Sequence, residues 1–163
     1  MSRRSGLILL LGLLTLAGCE RRDAAQPAEP QAEAAFRHQL SGDVSGEYRP
    51  VSAGGAVVSL FIGQSAAFDA WEAGRRDAPP LILTLMAPEG EVRVIPQTYV
   101  VDDQTVRMNG VTRDGEVRLQ ARIDQGALAT VRRNLGDRTV VISGAVRIDG
   151  QSQTLVLTPW SGG

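Results

Sequence analysis

Apolar and polar residues alternate with a period of two along much of the chain beyond residue 36, and turn residues break the alternation into short runs. The clearest run is Val117–Ile123, where every second residue is apolar and the intervening ones are arginine or glutamine. A period of two is typical of strands that bury one face. Asp114-Gly115 and Asp149-Gly150 lie between such runs, and Asp-Gly favours tight hairpins because both residues tolerate positive φ. The pattern predicts two β-hairpins in this half of the chain.

Further runs bring the number of predicted strands to about seven to nine. Val57–Ile62 and Leu81–Met86 are more continuously apolar, which is typical of central strands. Pro96 interrupts the run from Glu91 to Val101, which indicates a bulge or an edge strand because proline cannot donate to a ladder. Leu40–Tyr48 is a weaker opening strand because it contains two glycines.

Two short helices are predicted between the strands. Ser65 is expected to cap the first, which runs to about Ala73 and places Phe68 and Trp71 on one face. Asp124 is expected to cap the second, which runs to about Asn134. Together these elements predict a mainly β fold, a single antiparallel β-sandwich or barrel of about seven to nine strands with two short helices.

The N-terminus has the residue order of an export signal. Two arginines, Arg3 and Arg4, precede the apolar run Gly6–Leu16, which small residues follow. The run is about half of the roughly 20 residues that a membrane-spanning helix needs, so a permanent transmembrane anchor is not expected. The segment therefore predicts export rather than a place in the fold.

Leu16-Ala17-Gly18-Cys19 resembles the lipobox of bacterial lipoproteins. The resemblance implies that residues 1–18 are a signal peptide that a type II signal peptidase removes after recognising Leu16, Ala17 and Gly18. It also implies that Cys19 carries a diacylglycerol, and two or three acyl chains hold a protein firmly on a membrane. Glu20, rather than aspartate, follows the cysteine, so the periplasmic leaflet of the outer membrane is favoured over the inner membrane.

The chain after the cysteine divides into a tether and a domain. Residues 19–35 contain no large apolar side chain, so we expect a disordered linker that cannot offset its ordering entropy. Residues 36–163 are expected to form one β-rich periplasmic domain. Cys19 is the only cysteine, and the core must then hold the domain together without a disulfide.

Composition and charge argue against some classes of function. All 17 basic residues are arginine, the net charge is −1, and the signs are interspersed along the chain. No basic block of the kind that binds a phosphate backbone is present in the sequence, which argues against nucleic acid as a partner. His38 is the only histidine, and turn carboxylates such as Asp102-Asp103 do not provide three or four converging ligands, so neither a metal nor another cofactor is expected.

Gly63-Gln64-Ser65-Ala66-Ala67 is the one candidate for catalytic chemistry. It follows a strand and opens a helix, as a nucleophile elbow does. Ala67 replaces the final glycine, however, and His38 precedes the serine, whereas in that hydrolase family the histidine comes last. A helix N-cap explains Ser65 without further assumptions.

The connection from Trp71 to Pro80 is the best candidate for a binding surface. It combines Trp71 with Arg75 and Arg76, although core packing is the commoner role of a tryptophan in a chain with few aromatics. We therefore expect a non-enzymatic, membrane-tethered module that binds an envelope protein or another envelope component. The alternatives are a small-ligand carrier or sensor that uses the β core and, third, a hydrolase.

Overall fold

The computed structural model describes residues 35–134 and 136–162. The signal peptide, the lipobox Leu16-Ala17-Gly18-Cys19 and most of the predicted linker lie outside these residues. The described elements, in chain order, are β1 (Phe36–Gln39), β2 (Gly46–Pro50), β3 (Val57–Ile62), α1 (Ser65–Glu72), β4 (Leu81–Ala87), β5 (Gly90–Val94), β6 (Thr98–Asp102), β7 (Thr105–Thr112), β8 (Gly115–Ile123), α2 (Gln125–Arg133), β9 (Ile142–Ile148) and β10 (Gln151–Pro159).

Ten strands form one curled sheet, a half-barrel, in the order β1-β6-β7-β8-β9-β10-β2-β3-β4-β5. Neighbouring strands are antiparallel except β1 and β6, which run parallel with Phe36 opposite Tyr99. The predicted mainly β class with two helices is confirmed, whereas a purely antiparallel sandwich or barrel of seven to nine strands is wrong. The predicted opening strand Leu40–Tyr48 is wrong over most of its length, because only its residues 46–48 lie in a strand, β2, and residues 40–45 connect β1 to β2. β1 lies before the predicted range, and the two strands lie in different parts of the sheet.

The curl brings the β5 end of the sheet back towards β7. Only three residues connect β5 to β6, although the two strands lie near opposite ends of the strand order. A Cβ on Gly110 of β7 would lie 2.7 Å from Val94 Cγ1 and 3.2 Å from the carbonyl oxygen of Ile95. Gly110 therefore permits this close approach. Pro96 lies in the connection directly after the edge strand β5, in agreement with its predicted place at an edge.

Both predicted hairpins are present. Between β9 and β10, Asp149 (φ 46°) and Gly150 (φ 79°) form the two-residue loop with positive φ at both positions that suits a hairpin. Between β7 and β8 the two loop residues are Arg113 and Asp114, and Gly115 (φ 141°) is the first residue of β8.

The two helices lie close to where the sequence predicts them, but one predicted cap is wrong. The Asp124 carboxylate accepts a hydrogen bond from the Ala127 amide at 2.9 Å and caps α2 as expected. Ser65 is the first residue of α1 rather than its cap. Gln64 occupies the cap position, and no side chain makes a cap hydrogen bond there.

The core lies on one face of the sheet and includes the apolar faces of both helices. Phe68 and Trp71 of α1 are buried, as are Leu128 and Val131 of α2. Alternation along the strands is strict where it was clearest in the sequence. In β8 the apolar residues are buried and the arginines are exposed, so the opposite face of the sheet is free to carry charge.

Candidate functional site

Of the three predicted binding residues, the structure brings Trp71 and Arg76 together. Trp71 is 5% exposed and meets the Phe36 ring edge-on at a centroid distance of 6.1 Å. The Arg76 guanidinium lies 4.6 Å from the centroid of the Trp71 ring and 5.0 Å from that of Phe36, and it donates to the Trp71 carbonyl oxygen. Arg75 is exposed. Trp71 thus packs where α1 meets β1, and Arg76 covers it.

His38 makes more contacts than the sequence indicates. Its Nδ1 lies 2.9 Å from Glu72 Oε1 and its Nε2 lies 3.6 Å from Asp69 Oδ1, so both nitrogens face carboxylates of α1. The ring stacks on Phe68 at 5.3 Å. The Tyr99 hydroxyl donates to the same Glu72 oxygen at 3.1 Å. Burial, and then the neighbouring Glu72 carboxylate, raise the pKa of Tyr99. These contacts join β1, β6 and α1.

The remaining candidate side chains serve local structure. Asp102 accepts hydrogen bonds from the Thr105 hydroxyl at 2.7 Å and the Gln104 amide at 2.8 Å. Asp103 accepts from the Ser41 amide at 2.9 Å and from the Ser41 hydroxyl. Within residues 35–134 and 136–162, no three His, Cys, Asp or Glu side chains are grouped so that they could hold a metal ion.

Several charges of the same sign share the outer face of the sheet, opposite the core. Four strands contribute exposed arginines to it, and we call this surface the arginine face. Its members are Arg37 of β1, Arg107 of β7, Arg118 and Arg122 of β8, and Arg147 of β9.

Strand pairing explains how residues far apart in the chain meet on the arginine face. Gln120 of β8 lies at its centre, opposite Arg107 on one side and Ala145 on the other. Arg118 and Arg122 occupy the next outward positions along β8 in each direction. In the row beside Gln120, Arg118 lies directly opposite Arg147.

The Arg118–Arg147 pair is unfavourable for the fold. Like charges directly opposite each other on antiparallel strands destabilise a sheet. Glu116 relieves part of the repulsion because two Arg118 nitrogens donate to its carboxylate at 2.8 and 3.0 Å. Among the outward-facing side chains of β1 and β6–β9, two are acidic, Asp102 and Glu116, and five are arginines. The face therefore keeps an excess of positive charge.

Two shallow grooves run across the arginine face. One, of about 550 Å³, is lined by two arginines, Arg107 and Arg122, by the acidic Asp102 and by small residues such as Ser143 and Ala145. The other, of about 420 Å³, includes Arg107, Asn109 and Arg118 in its lining. Arg107 thus borders both. Guanidinium groups beside shallow grooves suit an anionic group, because their N–H donors match carboxylate and phosphate oxygens in pairs.

The outer face continues past β9 as a surface with exposed apolar side chains. Val156 of β10 lies opposite Ser143, which in turn lies opposite Arg122. Trp160, directly after β10, is 42% exposed and its ring packs 3.6 Å from the Arg49 guanidinium carbon. Phe61 of β3 is 40% exposed.

No family model, curated protein or solved structure matches this chain. In the described part of the chain, no helix is long and apolar enough to cross a membrane.

Proposed function

We propose that this protein is a membrane-anchored periplasmic lipoprotein that binds an anionic component of the cell envelope, and that it is not an enzyme. The observation that carries the proposal is the arginine face. Four strands place five guanidinium groups on one surface, and one pair of them, Arg118 and Arg147, lies directly opposite at a cost to the sheet. An anionic partner that neutralises these groups offsets that cost.

The predicted lipid on Cys19 makes a modest interface sufficient. An anchored module meets membrane-associated partners at a raised effective concentration, so weak contacts add up to stable association. Arginine suits such a surface because its planar fork binds carboxylate or phosphate in a bidentate manner and stays charged at every physiological pH. Positive potential spread over several strands also speeds encounter with a negative partner.

Site-specific photo-crosslinking in native membranes tests the proposal. A photoreactive residue at Gln120, at the centre of the arginine face, is compared with one at Glu89, an exposed residue between β4 and β5. We expect adducts with an anionic envelope component from Gln120 and few from Glu89. High salt should weaken capture because the contact is electrostatic. Equal capture from both positions, or none from Gln120, would refute the proposal.

A further inference from the structure

We propose that the arginine face rests on the lipid surface to which the protein is anchored, with its guanidinium groups bound to the phosphates of anionic phospholipids. The inference depends on the proposed function and assigns its binding face to one partner. It follows from where the tether joins the fold, how the charges are spread and what surrounds them.

The tether joins the fold at the edge of the arginine face. Fifteen residues separate Cys19 from Ala35, a stretch that spans at most about 50 Å. The carbonyl oxygen of Ala35 accepts a hydrogen bond from the Tyr99 amide at 2.9 Å, so the described chain begins beside β6. It continues as β1, which carries Arg37 on the arginine face. A lipid on Cys19 therefore keeps the arginine face within reach of the bilayer.

The spread of the charges suits a planar array of phosphates. The arginines lie on β1, β7, β8 and β9, and adjacent strands are about 4.8 Å apart. Four of the five arginines lie on the adjacent strands β7, β8 and β9, which cover roughly 10 Å of the curled sheet. A single small anion meets one or two guanidinium groups, whereas a lipid surface offers phosphates to several of these neighbouring arginines at once. Basic side chains near anionic lipids add their attractions roughly independently.

The apolar surface beside the arginines suits the same partner. Val156 continues the row that contains Arg122, and Trp160 follows β10 on the same outer face. Tryptophan is enriched at membrane–water interfaces, where its ring sits at the level of the headgroups. Arginines beside half-exposed aromatic and aliphatic side chains thus match the headgroup region, which is charged and borders the acyl chains.

Fluorescence from a labelled residue in the anchored, full-length protein tests the inference. Gln120→Cys carries an environment-sensitive fluorophore, and Asp77→Cys, in the connection after α1, is the matched control. Both proteins, lipidated on Cys19, are reconstituted into vesicles of phosphatidylcholine alone or mixed with phosphatidylglycerol. We expect the label at residue 120 to shift to the blue and become shielded from aqueous quenchers only with phosphatidylglycerol. Salt at about 0.5 M should reverse the change.

A second variant tests whether the arginines themselves make the contact. Adding Arg118→Gln and Arg147→Gln to Gln120→Cys should reduce the shielded fraction at least about fivefold. Circular dichroism checks that the variant is folded.

Equal shielding of residue 120 on both kinds of vesicle, or no shielding on either, would overturn the lipid inference. In that event, crosslinks from Gln120 to an acidic envelope protein would preserve the proposed function. The absence of any adduct would refute both the lipid inference and the proposed function.

Discussion

Gly144 shows how closely the strands that carry the arginine face are packed. It lies opposite Ala121 of β8 and Leu155 of β10. A Cβ at this position would come within 2.6 Å of the Ala121 Cα, and the backbone of a central strand has little room to move. Glycine is therefore required at this position because a Cβ does not fit, and not because the backbone has a positive φ.

Gly144→Ala should destabilise the fold by about 1–3 kcal/mol through overpacking. Gly42→Ala is the matched control, because a Cβ there meets nothing within 4 Å. The control should leave stability unchanged or raise it by up to about 1 kcal/mol. Urea unfolding of both variants measures the difference, and equal stability of the two would contradict the packing described for β8 and β9.

Asp103, in the turn between β6 and β7, contacts Ser41, in the connection between β1 and β2. The Ser41 hydroxyl and then the Ser41 amide, both donating to its carboxylate, hold the pKa of Asp103 below its ordinary value of 3.8. A carboxyl with a lowered folded pKa adds stability above its unfolded pKa and loses it as pH falls through the folded value. Its contribution is therefore present at neutral pH and declines as pH falls below about 4 and through the lowered folded pKa.

Asp103→Asn should lower stability at neutral pH and make stability less dependent on pH below about 4. Ser41→Ala removes the hydroxyl donor but keeps the carboxylate, and should produce a smaller change in the same direction. Thermal unfolding at a series of pH values measures both. An acid dependence identical to that of the wild type would show that the Ser41–Asp103 contacts do not stabilise the folded state.

The helix caps differ in energy although the sequence makes them look alike. Asp124→Ala removes the hydrogen bond to the Ala127 amide and should cost about 1 kcal/mol. Ser65→Ala removes no cap hydrogen bond and should change stability by less than about 0.5 kcal/mol. Chemical denaturation compares the two. A larger loss at Ser65 than at Asp124 would reverse the assignment of the caps.

Strands, helices and turns can be predicted from the sequence where the residues that determine them are adjacent in the chain. The Asp149-Gly150 loop and the alternation of β8 were predictable because turn chemistry and burial act on adjacent residues. The parallel pairing of β1 with β6 was not, because it joins residues about 60 positions apart that share no local pattern. The two glycines in Leu40–Tyr48 do not weaken one strand, because Gly42 lies in the connection between β1 and β2 and Gly46 is the first residue of β2.

At the scale of the whole molecule, strand order creates the arginine face. Along the chain, the charges are mixed and no basic block stands out. The alternation already places Arg118 and Arg122 on the outward side of β8, but only the register sets Arg107 and Arg147 beside them. His38 likewise meets Glu72 only because β1 packs against α1. Both arrangements depend on long-range pairing that one sequence does not reveal.

The most direct test of the central claim compares two charge-matched sets of four substitutions. The first converts Arg107, Arg118, Arg122 and Arg147 to glutamine. The second converts four exposed arginines elsewhere, Arg75, Arg93, Arg133 and Arg138. Both sets lower the net charge equally, so only the position of the charge differs.

The measured quantity is the yield of anionic envelope adducts from a photoreactive residue at Gln120 in native membranes. We predict at least about a tenfold fall for the first set and less than about a twofold change for the second. Retained folding of both sets is checked by circular dichroism. An equal fall in both sets, or unchanged capture by the first, would contradict the account of the arginine face.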